Sequence, residues 1–132
     1  MNIETTAQLR PRKSPLYFTE PTPLTGEALY RMSGLGQVEL VKGQIKPVRP
    51  TGHLHGYIET IIASLLLAFV QANGLGRVLS GEVGIYTHRR PDTVRGADVI
   101  YISHERLSQN QREGYLTVAP ELVVEVMSPG DS

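Results

Sequence analysis

The chain has 132 residues and 14.5 kDa, 40% of them hydrophobic and 20% charged, which suits one soluble globular domain able to bury roughly two thirds of its unfolded surface. Thirteen basic residues balance thirteen acidic ones, so the overall charge gives no evidence for a nucleic-acid partner and any such surface has to be a local patch. The absence of cysteine excludes a disulfide framework, a thiolate nucleophile and Cys-type zinc sites, and is compatible with the cytoplasmic location expected here.

Residues 1–23 read as an arm outside the core. Pro11, Pro15, Pro21 and Pro23 block regular structure, while Arg10, Arg12 and Lys13 add only weak local charge. The segment from Met1 to Lys13 has no hydrophobic stretch of signal-peptide type. The domain proper is expected over residues 24–132. Thr25 is placed to cap a short helix through Glu27, Leu29 and Met32, stopped by Ser33-Gly34. Val38-Glu39-Leu40-Val41 and Gln44-Ile45-Lys46-Pro47-Val48 flank Lys42-Gly43, the pattern of a tight hairpin, and Pro47 puts the second arm at a sheet edge.

A long helix is expected after Gly52. Leu54, Tyr57, Ile58, Ile61, Ile62, Leu65, Leu66 and Phe69 recur at helical spacing, Asn73-Gly74 supplies the stop, and a stripe this broad predicts a buried helix. Its apolar run from Ile58 to Val70, interrupted by Glu59, is shorter than a bilayer span, so no membrane association is expected. His53 and His55 fall in the first turn and Glu59 one turn beyond His55, where a metal or phosphate contact competes with a structural hydrogen bond.

Alternation from Arg77 to Thr87 predicts a strand, with Gly81 and Gly84 allowing a bulge. Residues 88–96 then read as a polar, basic turn, and Ser103 as the cap of a short helix through Leu107. Gln109 to Thr117 reads as a surface loop, and Pro120 as the entry to a strand over Glu121 to Met127. No internal repeat, phosphate-binding Gly-rich loop or Gly-x-Ser-x-Gly elbow is present.

What stands out is an acidic pair. Asp98 sits in Ala97-Asp98-Val99-Ile100-Tyr101-Ile102 and Glu125 in Leu122-Val123-Val124-Glu125-Val126-Met127, and a carboxylate inside an apolar run is costly unless something pairs with it. If the runs are neighbouring strands, the two acids meet, and a divalent cation would relieve their repulsion.

Several fragments, in order and spacing, resemble the Uma-two family within the PD-(D/E)XK nuclease superfamily. They are Glu39-Leu40-Val41-x-Gly43-x-Ile45, Pro50-Thr51-Gly52-x-x-His55-Gly56, Gly81-Glu82-Val83-Gly84, Ala97-Asp98-Val99 and Ala119-Pro120-Glu121-Leu122-Val123-Val124-Glu125-Val126-Met127-Ser128-Pro129. The resemblance implies an α/β (α+β), restriction-endonuclease-like fold: a mixed sheet with a long packed helix. It implies a magnesium-dependent DNA endonuclease in which Asp98, Glu125 and the Val126 carbonyl hold the metal. Glu39 and His55 are implied as further residues of the catalytic site.

Two departures bear on activity. Met127 stands where the superfamily pattern has a lysine, and the chain stops at Ser132, where the resemblance implies a lysine-bearing helix and a final strand, so a C-terminally truncated domain is expected. An open edge on the last strand would then favour a homodimer or higher homo-oligomer. The competing readings are a noncatalytic nucleic-acid-binding or assembly module, and a structural domain whose acids pair with arginines such as Arg95.

Overall fold

The computed structural model describes residues 22–110 and 113–129, so the expected proline-rich arm lies outside the described residues except for Thr22 and Pro23. The Thr25 hydroxyl accepts from the Ala28 N–H at 3.1 Å and starts helix α1 (Gly26–Arg31). Strands β1 (Val38–Val41) and β2 (Gln44–Pro47) form the expected hairpin, because Lys42 and Gly43 both take positive φ (50° and 77°), the backbone of a twist-matched two-residue turn. Helix α2 (His53–Ala72) ends at Asn73, with Gly74 at φ 60°. Strands β3 (Gly76–His88) and β4 (Thr93–Ser103), the Ser103-capped helix α3 (His104–Ser108) and strand β5 (Leu122–Val124) follow.

The strands run β2-β1-β4-β3 across the sheet, and β5 pairs with β4. β3 lines one edge of β4; β1 at Val94 and β5 at Val99 to Tyr101 share the other. Among the described residues every ladder is antiparallel, and the parallel component of the expected mixed sheet is one bridge, Ile85 to Leu116. With partners on both edges, β4 is the spine, and Val94, Ala97, Val99, Ile100 and Ile102 are all buried. The core has two parts, one of Ala97, Ile100, Ile102 and Leu116, the other of Leu29, Leu40 and Val94. β2 lies at the sheet edge, where Pro47 removes no ladder donor that the fold needs.

Four expectations are corrected. The basic turn is confined to residues 89–92, because Thr93 to Ala97 pair with β3 and are strand. The loop after α3 is more than surface: Leu116 is buried, and its N–H donates to the Gly84 carbonyl while its carbonyl accepts from Tyr86 N–H. The last strand covers three residues instead of seven. The fourth concerns α2, which is not buried all round. It rests on β3 and β4 by one face, burying His55 and Val70, and Leu54, Tyr57, Leu65 and Phe69 are each at least 61% exposed, because a single layer covers a helix that is apolar on both sides.

At 20 residues α2 is also longer than the apolar run suggested, and by length and composition alone it could cross a membrane. His55 and Glu59 face inward on it, and the packing on the sheet makes it the covering helix of the domain.

Asp92 ties the β3–β4 turn to α1. Its buried carboxylate accepts from Gly26 N–H at 2.8 Å and Arg90 N–H at 3.2 Å, and Arg89 lies 3.2 Å away. Asp92→Ala leaves a buried amide without its acceptor, so a loss of about 2–3 kcal/mol is expected, read as a lower urea midpoint at unchanged m-value.

Candidate metal centre

The centre forms where three elements converge on Asp98. β4 carries this residue, 3% exposed, under the first turns of α2. β5 pairs Val124 with Val99 and ends there, and the next residue, Glu125, lies near enough to Asp98 for the Asp98 charge to raise its pKa. The two acids read from the apolar runs are therefore neighbours. From the helix, His55 brings Nε2 to 3.3 Å from Asp98 Oδ2, and Glu59, one turn on, lies 3.8 Å from His55 Nδ1. His55, Glu59 and Asp98 offer donor atoms that all lie within 4.8 Å of one another.

A fourth carboxyl arrives from β3. The ladder to β4 slips between Ser80 and Val83, where Gly81 (φ 92°) and Glu82 (φ 62°) both take left-handed backbone. That conformation is uncommon for a residue with a side chain, and it aims Glu82 at Asp98, with which it shares a hydrogen bond. Gly96 makes room: a Cβ there would stand 2.7 Å from Glu82 Oε1. The sequence carried the bulge signal at Gly81 but nothing that assigned Glu82 a role. Its usable trace was an acid following the bulge glycine inside a strand.

The electrostatics follow from the crowding. The Glu82 pKa is pushed up to about 8, first by its hydrogen bond to Asp98, then by burial and by the charges of Asp98, Glu125 and Glu59. Burial alone would raise Asp98 too, but the hydrogen bonds from Glu82 and Val126 N–H and the proximity of His55 outweigh it and hold this carboxyl below its ordinary value. Glu125 is raised by desolvation and by the charges of Asp98 and Glu39. Glu82 thus carries the proton and Asp98 the charge.

The remaining predicted residues are placed as follows. Glu39 is engaged on both oxygens, accepting from Gly96 N–H at 2.8 Å and pairing with Arg95 Nε at 3.0 Å. It adjoins the centre through β4 and adds charge at Glu125. Val126 presents its N–H to Asp98 Oδ2 at 2.7 Å. Arg95, considered as a partner for the two acids, is bound to Glu39 instead. In the basic turn, Arg89 pairs with Glu27 at 2.8 Å and stacks on Tyr86 at 4.1 Å. Lys42, His88, Arg90 and Arg95 line a cavity of about 460 Å³, and Arg95 also borders the cavity that contains Glu125.

The donor set fits a divalent cation. Glu82 and Asp98 share a proton, as repelling carboxylates do, and a cation would take over that role. His55 Nδ1 is buried without a hydrogen-bond partner among the described residues, which leaves an imidazole atom available. Carboxylate oxygens with one imidazole are a donor class that divalent ions use.

A comparison with curated proteins finds no match. A family model, Uma2, described as "Putative restriction endonuclease", matches residues 27–132, from α1 to the end of the chain. The match includes every residue of the centre, and the antiparallel five-stranded sheet with its helices is consistent with the restriction-endonuclease-like fold. That family suggests a nuclease and implies a divalent metal, for which the His55–Glu59–Asp98 group is present. The chain belongs to the Uma2 family of restriction-endonuclease-like proteins.

Proposed function

We propose that the protein is a cytoplasmic, magnesium-dependent DNA endonuclease that hydrolyses phosphodiester bonds and works as a homo-oligomer. The observation that carries this reading is the His55–Glu59–Asp98 group, whose donor atoms lie within 4.8 Å of one another, with Glu82 hydrogen-bonded to Asp98 and Glu125 near enough for its pKa to respond to the Asp98 charge. Asp98 and Glu125 would hold the ion, with the Val126 peptide beside them and Glu82 losing its proton on binding. A bound magnesium ion supplies charge to a phosphate oxygen and acidifies a water.

The protein's own groups supply the rest. Val126 N–H and His55 Nε2 both meet Asp98 Oδ2, so this carboxylate enters the reaction already oriented. Glu39 holds Gly96 N–H and Arg95, placing a guanidinium between the acidic centre and the basic cavity, along a path that a phosphate backbone would follow.

One observation favours a second reading. Met127 is 63% exposed at the position of the superfamily lysine and can neither activate water nor stabilise charge. A noncatalytic nucleic-acid-binding module would retain the acidic centre and lose turnover.

Supercoiled plasmid distinguishes the two. The first reading expects magnesium-dependent nicking that EDTA and Glu125→Gln abolish. Salt-sensitive DNA binding with no nicking at any magnesium concentration selects the second.

A further inference from the structure

The outward face of α2 is unexplained by the metal centre. Leu54, Tyr57, Ile61, Leu65, Phe69 and Ala72 lie in one stripe at helical spacing, opposite the face that carries His55, Glu59 and Val70. Leu54, Tyr57, Leu65 and Phe69 are 61%, 64%, 69% and 61% exposed, and Ile61 39%. Together these five expose roughly 600 Å² of side chain, the size at which an apolar patch marks an interaction surface.

We propose that this stripe is the interface through which two copies of the chain associate, with their α2 helices antiparallel about a two-fold axis near Ala63. The order of residues along the helix supports this occupant. Under such an axis each position meets the one whose number completes the same sum. Ile61 then faces Leu65, Tyr57 faces Phe69 and Leu54 faces Ala72. Aliphatic meets aliphatic, aromatic meets aromatic, and a large terminal residue meets a small one, which is the self-complementarity a symmetric interface requires.

The area agrees. Two such faces bury roughly 1,200 Å², the lower bound of a specific protein–protein interface, before flanking residues are added. Other occupants fit worse. His53–Ala72 contains no lysine or arginine, so it lacks the cationic flanks of a membrane-surface helix and the phosphate ligands of a nucleic-acid surface. Its inner face packs on β3 and β4, with His55 Nε2 3.3 Å from Asp98, contacts that a bilayer-spanning helix would have to give up. The strand edge expected to drive association is weaker, because β5 is only three residues long.

The inference uses nothing of the nuclease reading and is tested without DNA. Sedimentation of the full chain at tens of micromolar should give a dimer, and Leu65→Lys should weaken it at least tenfold with an unchanged far-UV circular dichroism spectrum. Because the chain has no cysteine, the register is readable separately. Oxidising an equal mixture of Ile61→Cys and Leu65→Cys proteins should cross-link them, and neither protein alone should cross-link comparably. If Leu65→Lys fails to fold, the cysteine mixture decides. A monomeric full chain, a dimer that cross-links no better in the mixture, or flotation of the chain with neutral phosphatidylcholine vesicles through the Leu65 face overturns the proposal.

Discussion

Asp98→Ala is expected to lower the affinity for magnesium or manganese by more than 100-fold in calorimetry, and to remove any magnesium-dependent nicking with it. The size follows from geometry. Asp98 is the one residue that every other group at the centre touches or senses: His55 at 3.3 Å, Val126 N–H at 2.7 Å, Glu82 by a hydrogen bond and Glu125 by charge. Groups that only support a ligand cost about 10–100-fold in metal affinity when removed, and a ligand at the convergence point should exceed that range. Glu39→Gln provides the contrast. Its carboxylate is spent on Gly96 N–H and Arg95, so it should fall within the supporting range. Calorimetric affinity unchanged by Asp98→Ala would remove Asp98 from the metal site altogether.

The legibility of this centre in the sequence depended on how each residue was carried. Asp98 and Glu125 stood out because each interrupts a β-branched run, and the antiparallel register that joins them needs only adjacent strands. The Lys42-Gly43 hairpin, the Thr25 and Ser103 caps and the Asn73-Gly74 stop were equally readable, since each is decided by a few neighbouring residues. Glu82 was not, because its direction comes from a two-residue bulge and from the space left by Gly96, fourteen positions away. The exposure of α2 was hidden for a different reason. Periodicity records which residues are apolar, and this helix is apolar on two faces, so the pattern cannot say how many of them a neighbouring layer covers. The early end of the basic turn was hidden because residues 93–97 join the ladder to β3, a pairing that the polar composition of the segment does not mark.

Glu82 yields a pH dependence with a definite sign. Its pKa in the folded protein is about 8, against 4.5 for the free group, so the native state holds a proton that the unfolded chain releases. The stability this provides is complete below about pH 4.5 and is lost as pH rises through 8, with a slope of up to about 1.4 kcal/mol per pH unit. Glu125, also raised, adds a slope of the same sign. Asp98 is lowered, so its contribution is present above the ordinary aspartate range and is lost only on acidification below it, outside this window. Urea midpoints of the metal-free protein should therefore fall from pH 5 to pH 9. Glu82→Gln, neutral at every pH, should flatten most of that fall and leave the mutant the more stable protein at pH 9. A divalent cation reverses the preference, because it favours the charged carboxylate. Binding below pH 8 should then release close to one proton, seen as a dependence of the calorimetric heat on buffer ionisation enthalpy, and affinity should climb by about tenfold per pH unit up to 8. Both effects originate in the same shared proton. If Glu82→Gln abolishes the stability slope but leaves the proton release intact, Glu82 is a structural acid, and the cation sits against other oxygens.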